Sequence, residues 1–267
     1  LTSTNSSIGL IYALKKILIS KMLKEKQLLK TFSSIKIKEK YIIIHSDITG
    51  LVFENFSLNK LWKIIYSSFG KNKTYIFPTF TLKSNKVWDY YKSKSETGIL
   101  SEYFRKNIAN LRTIHPLHSV AVYSKKIPFF INHNSPSSFG KGSTWHKLAK
   151  SKDVCNIALG LNLDGGGTFC HVAEEIFKVK YREIIPISSR VYGRNKKIIK
   201  KKFTYFARKK NGYLNNWRKC ENDLKKNKLI KYFKIYQSNY KIIKMNTSKV
   251  TKFILKELRK NPNYLIK

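Results

Sequence analysis

The feature that narrows the fold most is a strand, a helix and a second strand in close succession. Tyr41-Ile42-Ile43-Ile44 is a short apolar run bounded by polar residues, the pattern of a buried strand, and it stops at His45-Ser46-Asp47. Ser57 then stands where an N-cap belongs. Leu58, Leu61, Trp62 and Ile65 form one stripe at helical spacing, and Gly70 is placed to end the helix. Thr74 to Phe77 follows as a second strand and stops at Pro78-Thr79-Phe80. Two strands joined by one helix over this length should lie parallel, with a right-handed crossover. Their carboxyl ends then open on one edge of the sheet, where open α/β sheets bind ligands, and that edge carries His45, Ser46, Asp47, Pro78 and Thr79.

A third apolar run, Val154, Cys155, Ile157, Ala158 and Leu159, ends at Gly160 and feeds a glycine loop at residues 165–167 in the same sense. Beyond the loop Thr168 is a suitable N-cap, and Phe169, Val172, Ala173 and Ile176 repeat at helical spacing. His171, Glu174 and Glu175 share the opposite face. Either carboxylate, three or four positions on, can reach the imidazole and fix its tautomer. That is the residue set of a general base with an orienting acid. A solvated polar face on a surface helix has the same composition, and these residues alone do not separate the two. Cys170 next to His171 raises a thiolate route, but adjacent helical positions point about 100° apart, which favours an inert packed thiol.

Leu111 to Ser119 holds His115 and His118 ahead of a strand-like Val120 to Tyr123. If these histidines reach the same edge, that strand presents its amino end there and runs antiparallel to the others, so the sheet is mixed. The two histidines lack an evident third ligand, and no metal is expected. The expected architecture is a three-layer α/β/α fold with a mixed, mainly parallel sheet and a small C-terminal α+β region.

The chain has 267 residues, 42% of them hydrophobic, enough for one compact domain over 1–267 with residues 183–267 as a candidate C-terminal subdomain. Three scattered cysteines point to a reducing, cytoplasmic setting rather than a disulfide framework. Ile8 to Leu29 reads as an amphipathic helix, because Lys15 and Lys16 interrupt its apolar positions and fit neither a signal peptide nor a membrane span. Tyr232, Phe233, Tyr236 and Tyr240 suit core packing, a small β subdomain or a homodimer face, and a last helix is expected from Ser248 until Pro262 ends it.

The formal net charge of +39 invites a nucleic-acid reading, but lysine is spread along the chain and no helix-turn-helix, zinc-finger or RNP-like signature accompanies it. A basic binding protein without chemistry remains the non-enzyme rival, and steeply salt-dependent retention of nucleic acid would mark it. The charge itself favours anionic ligands over polycations.

Eight short blocks, in order, resemble the aminoglycoside 3-N-acetyltransferase family: Ile42–Gly50, Phe77–Thr81, Gly98–Arg105, Arg112–Val122, Phe139–Ser143, Leu159-Gly160, Thr168–Glu175 and Tyr181-Arg182. Asn261 to Leu265 resembles the family's C-terminal end. Asp47 and Ile48 depart from the serine and leucine of many members, and the chain after Arg182 is heavily lysine-substituted. The resemblance implies metal-free transfer of an acyl group from acetyl-CoA or another acyl-CoA to an amine of a small amino sugar. His171 would be the base and Glu174 its orienting acid. Coenzyme contacts are implied at His45, Ser46, Thr79, His118 and Ser119. An oxyanion donor would come from Ser46, Thr79 or the loop 165–167. With 15 acidic residues against 54 basic ones, a nucleotide-linked 3-amino sugar suits the chain better than a polycationic antibiotic, which stays the alternative acceptor.

Overall fold

The computed structural model describes residues 25–51, 55–82, 87–128, 131, 135–210, 213–236 and 238–267. Most of the helix expected over Ile8 to Leu29 lies outside them. What is described begins with α1 (Glu25–Ser34), whose Leu28 and Phe32 are buried.

The anticipated strand, helix and strand form as β1 (Tyr41–Ser46), α2 (Leu58–Phe69) and β2 (Thr74–Pro78), with β1 and β2 parallel. The Ser57 hydroxyl accepts from the Lys60 amide and so caps α2, and Gly70 ends it at φ +117°, where a side chain would be strained. A short strand β3 (Val87–Asp89) and α3 (Ile99–Asn107) follow, then β4 (Leu111–Arg112) and β5 (Val120–Tyr123), then α4 (Thr144–Lys150) and β6 (Val154–Leu159). The glycine segment gives a single turn, α5 (Leu163–Gly166), a 3-10 turn over Thr168–Cys170, and α6 (His171–Phe177). The remainder is β7 (Arg182–Ile187), β8 (Arg190–Tyr192), β9 (Phe203–Arg208), α7 (Trp217–Lys226), β10 (Ile230–Lys234), β11 (Lys241–Asn246) and α8 (Thr247–Lys260).

Among the described residues the main sheet has the order β10-β11-β6-β1-β2-β5-β4. β5 runs antiparallel to β2, as the placing of His118 requires. The sheet is mixed, but parallel pairing is confined to β6, β1 and β2, and four of the six neighbouring pairs are antiparallel. The expectation of a mainly parallel sheet is corrected on this point. A helical crossover makes β1 and β2 parallel neighbours, and short returns make β4–β5 and β10–β11 antiparallel, while β2–β5 and β6–β11 pair antiparallel across long stretches of intervening chain.

β1 shows why three layers form. Side chains alternate across a strand, so Ile42 and Ile44 pack with Leu28, Phe32, Leu61, Trp62 and Phe104 from the helices on one face. Ile43 packs with Trp145, Leu148, Val172, Val250 and Ile254 on the other. The lysine-rich C-terminal stretch divides. β7 pairs with β9 and β3 with β8 outside the main sheet, while β10 and β11 extend that sheet and α8 packs on α4 and α6. Tyr240 closes the β10–β11 return onto the site edge, its hydroxyl donating to the Asp47 carbonyl at 2.6 Å. Gly160 lies beneath it at φ +69°, where a Cβ would stand 2.4 Å from that carbonyl oxygen and 2.8 Å from the Tyr240 ring.

Candidate active site

The carboxyl ends of β1, β2 and β6 meet at the loop that carries α5 and α6. The loop passes close over β6, since a Cβ on Gly166 would lie 2.5 Å from that of Ala158, and the Asn156 amide donates to the Gly166 carbonyl at 2.8 Å. Thr168 does not serve as the N-cap expected of it. Its hydroxyl instead meets His45 Nε2 at 3.0 Å, and the 3-10 turn begins without a side-chain cap. Phe169, Val172 and Ala173 are buried as the helical spacing requires, whereas Ile176 is exposed at the outer edge of the stripe.

His171 and Glu174 meet as the i, i+3 spacing allows, with Nδ1 and Oε2 2.5 Å apart. A carboxylate only accepts, so Nδ1 carries a hydrogen and the neutral ring has its lone pair on Nε2. Among the described residues nothing hydrogen-bonds Nε2. The ring is partly exposed and flanked by Phe139 and Trp217, with centroids 5.4 Å away in each case. Glu174 is 1% exposed and held from three sides. The Tyr181 hydroxyl donates to Oε1 at 3.0 Å, and Arg182 Nε stands 2.9 Å from Oε2 as an ion pair rather than an aligned hydrogen bond. Burial pushes the Glu174 carboxyl upward, yet His171 and Arg182 hold it below the usual carboxylate range. Glu175 is not the partner. It accepts from the Ser137 hydroxyl at 3.1 Å, and burial pushes its own carboxyl upward.

Of the five positions implied for the coenzyme, the fold brings two to an open surface. His45 and Ser46 line a cleft of about 540 Å³ together with Thr49, Gly98 and Thr168. Among the described residues the Ser46 hydroxyl has no partner, and burial pushes His45 down to about 4, against a smaller opposing hydrogen bond from Asn156. Asp47, at the cleft mouth, turns its carboxylate onto the Thr49 hydroxyl and amide, which hold it below its ordinary range.

Thr79 and Ser119 are corrected. Both are fully buried, their hydroxyls lie 3.0 Å apart, the Thr79 amide donates to the Ser119 carbonyl, and neither is among the cleft-lining residues. What occupies them is Arg112, whose guanidinium bonds Ser119 Oγ at 3.1 Å and the Thr79 carbonyl at 2.9 Å. His118 is not among the cleft-lining residues. It lies behind Phe80, edge-on at 4.8 Å. Cys170 is buried among apolar groups, and burial raises its thiol well above the ordinary range, which favours a packed thiol over a nucleophile.

Phe139 and Trp217, the walls of the His171 ring, escaped sequence reasoning because each is far away in the chain. Tyr181 and Arg182 were visible only as a family block, with no sign of their hold on Glu174. A second hollow of about 700 Å³ begins one helical turn from His171. Lys141, Lys150, Lys178 and Arg182 line it, with Glu175 and Glu183 as its carboxylates. Among the described residues no cluster of His, Cys, Asp or Glu could hold a metal, and no helix is long and apolar enough to cross a membrane.

Residues 43–258 match the sequence profile of the aminoglycoside 3-N-acetyltransferase family. No curated protein matches the chain significantly. The fold is that of solved acetyltransferases. Aminoglycoside acetyltransferase AAC(3)-Xa is 11% identical with a TM-score of 0.79, the match covering 95% of this chain and 99% of that one. AAC-IIIb, solved as a binary complex with CoASH, is 14% identical with a TM-score of 0.74, covering 90% and 97%. A histidine-to-alanine mutant of AAC(3)-IVa in complex with a gentamicin is 15% identical with a TM-score of 0.74, covering 91% of each chain.

Proposed function

Because the chain belongs to the aminoglycoside 3-N-acetyltransferase family and is therefore an N-acetyltransferase, we propose that it moves an acyl group from acyl-CoA directly to the amine of an amino sugar with His171 as general base. The observation that carries this reading is the His171–Glu174 contact, which commits Nδ1 to a buried carboxylate and leaves Nε2 uncommitted beside the partly exposed face. An ammonium has no lone pair, so the acceptor must lose a proton before it attacks. In the attack the amine nitrogen bonds to the thioester carbonyl carbon, the carbonyl electron pair moves to oxygen, and Nε2 takes the amine proton. Glu174 stabilises the imidazolium that results. When the carbonyl re-forms, the C–S bond breaks and the thiolate leaves with a proton from the imidazolium. The cleft at His45 and Ser46 is the proposed seat of the coenzyme, in line with the CoASH complex of AAC-IIIb.

The acceptor proposed is an anionic, nucleotide-linked 3-amino sugar. Its support is the second hollow, where Lys141, Lys150, Lys178 and Arg182 face two carboxylates, Glu175 and Glu183, and where Arg182 already engages Glu174. A polycation finds little to bind there. The second reading, an aminoglycoside acceptor, is favoured by the gentamicin complex of AAC(3)-IVa. Thiol release from acetyl-CoA, measured side by side with a nucleotide-linked amino sugar and with gentamicin, decides between them. Higher kcat/KM for the nucleotide sugar is the expected result, the reverse order selects the antibiotic, and no release with any amine overturns the reaction.

A further inference from the structure

The wall of the coenzyme cleft holds a row of polar groups that runs from the interior to the surface. Thr168 lines the cleft and is partly exposed, buried His45 stands against it with Nε2 3.0 Å from the Thr168 hydroxyl, and fully buried Asn156 bonds the same imidazole. The hydrogens of this row are fixed from the inside outward. The Asn156 amide nitrogen donates to the Gly166 carbonyl at 2.8 Å, which leaves Oδ1 for the ring. Neither Asn156 Oδ1 nor His45 Nδ1 has another partner among the described residues. An amide oxygen only accepts, so Nδ1 carries the ring hydrogen and Nε2 the lone pair. The Thr168 hydroxyl, with no other partner among the described residues, therefore donates to Nε2. Its hydrogen is committed inward, and what Thr168 Oγ1 offers the cleft is an acceptor.

An occupant of the cleft must then bring an N–H to that oxygen. No lysine or arginine is among the described residues that line the cleft, whereas Asp47 and Asp164 are, so the part of acyl-CoA that suits it is the neutral pantetheine arm rather than the phosphates. That arm carries two amide N–H groups, and the nearer one is separated from the sulfur by two carbons. Thr168 precedes His171 by three residues, about one turn or roughly 5 Å along the segment. A thioester beside His171 brings the nearer N–H within reach of Thr168. We infer that Thr168 is a coenzyme-binding residue whose Oγ1 accepts from the pantetheine N–H next to the thioester and so anchors the reacting end of the arm beside His171. The inference rests on the acyl-transfer reading above. A hydroxyl, an imidazole and an amide in a row are also the residue set of a covalent acyl-enzyme, but there the imidazole must take the hydroxyl proton, and the burial that pushes His45 down to about 4 opposes this.

The test is calorimetric binding of CoA and of a CoA analogue in which oxygen replaces that one N–H, turning the amide into an ester, to the wild type, Thr168→Val and Thr168→Ser. One neutral hydrogen bond is worth a factor of roughly 2–10. The wild type should bind CoA about fivefold more tightly than the ester, Thr168→Val should bind the two alike, and Thr168→Ser should restore the preference. A wild type that does not distinguish the pair, or a Thr168→Val variant that still does, overturns the assignment; the wild-type comparison stands even where the valine variant fails to fold. In turnover, Thr168→Val should raise KM for acetyl-CoA by about the same factor and keep kcat within about threefold. Mass spectrometry after exposure to acetyl-CoA should find Thr168 unmodified, and an acetyl ester on it would replace anchoring with covalent catalysis. If CoA binds but the wild type releases no thiol with any amine, the acyl-transfer reading falls, while the comparison of CoA with the ester still decides what Thr168 contacts.

Discussion

Two polar clusters at the same end of the sheet each contain an arginine, and they do opposite things. Around Arg112 all three guanidinium nitrogens bond inside the protein. Its guanidinium bonds Ser119 Oγ and the carbonyls of Thr79, Ser93 and Tyr90, and lies 4.8 Å over the Trp88 ring, while the Ser119 hydroxyl donates to the Thr79 carbonyl. Burial pushes Arg112 down to about 9. Around Glu174 the same kind of packing, with Tyr181 and Arg182, serves to hold one imidazole whose second nitrogen is uncommitted. A closed set of partners makes a brace, and a set with one open valence makes a reagent. Residue type does not separate them, for both clusters have hydroxyls, an arginine and a neighbouring histidine.

The largest effect should come from the open cluster. His171→Ala is expected to lower kcat by about 10³-fold, within the range for loss of a general base. Its thermal stability should change little, because Glu174 keeps Tyr181 and Arg182; a thiol-release assay with a melting curve measures both. A variant that retains its rate would erase the distinction between the clusters.

The closed cluster should answer in stability. Arg112→Met leaves buried carbonyls without donors, at a cost of about 3 kcal/mol, and Tm should fall by roughly 6–12 °C, with kcat of the folded enzyme within about threefold. A kcat loss at unchanged Tm would move Arg112 into the machinery.

pH sharpens the same contrast. Burial pushes His45 and His115 down to about 4, partly offset for each by hydrogen bonding, so the folded protein keeps both rings neutral. The unfolded chain takes up protons at about 6.5. Their contribution is therefore fully present above about 6.5 and is lost as pH falls toward 4, roughly 2 kcal/mol per ring between 6.5 and 4.5. Denaturant melts across that window should show it, and His115→Gln should flatten the slope. A flat profile for the wild type would mean that these rings titrate freely.

The smallest effect is expected at Cys170. Cys170→Ala should keep kcat within about threefold and lose about 1 kcal/mol of packing. A collapse of activity would put a covalent acyl-enzyme in place of direct transfer.

The helix α2 with its Ser57 cap and Gly70 stop, the strands β1, β2 and β6, and the meeting of His171 with Glu174 were legible in the chain. Each rests on contacts a few residues apart, where spacing and backbone preference decide. The antiparallel outer strands were less legible. β10 and β11 join the sheet at β6, about 80 residues earlier in the chain, and such pairing leaves no local mark. The same limit applies to Thr79 and Ser119, which stood in family blocks as candidate ligand contacts and prove to be buried partners of one another and of Arg112.

By itself the sequence determined the local elements, the edge at which parallel strands end, and which imidazole has a carboxylate one turn away. Tertiary structure alone decided which polar groups are closed and which stay open. That Phe139 and Trp217 wall His171 and that Ser138 meets His118 are facts about groups far apart in sequence, and even Tyr181 and Arg182 reach Glu174 only because the chain turns back after α6. The physical reason is that a hydrogen-bonding group's chemistry depends on what remains unsatisfied after packing, and only the folded chain completes that count.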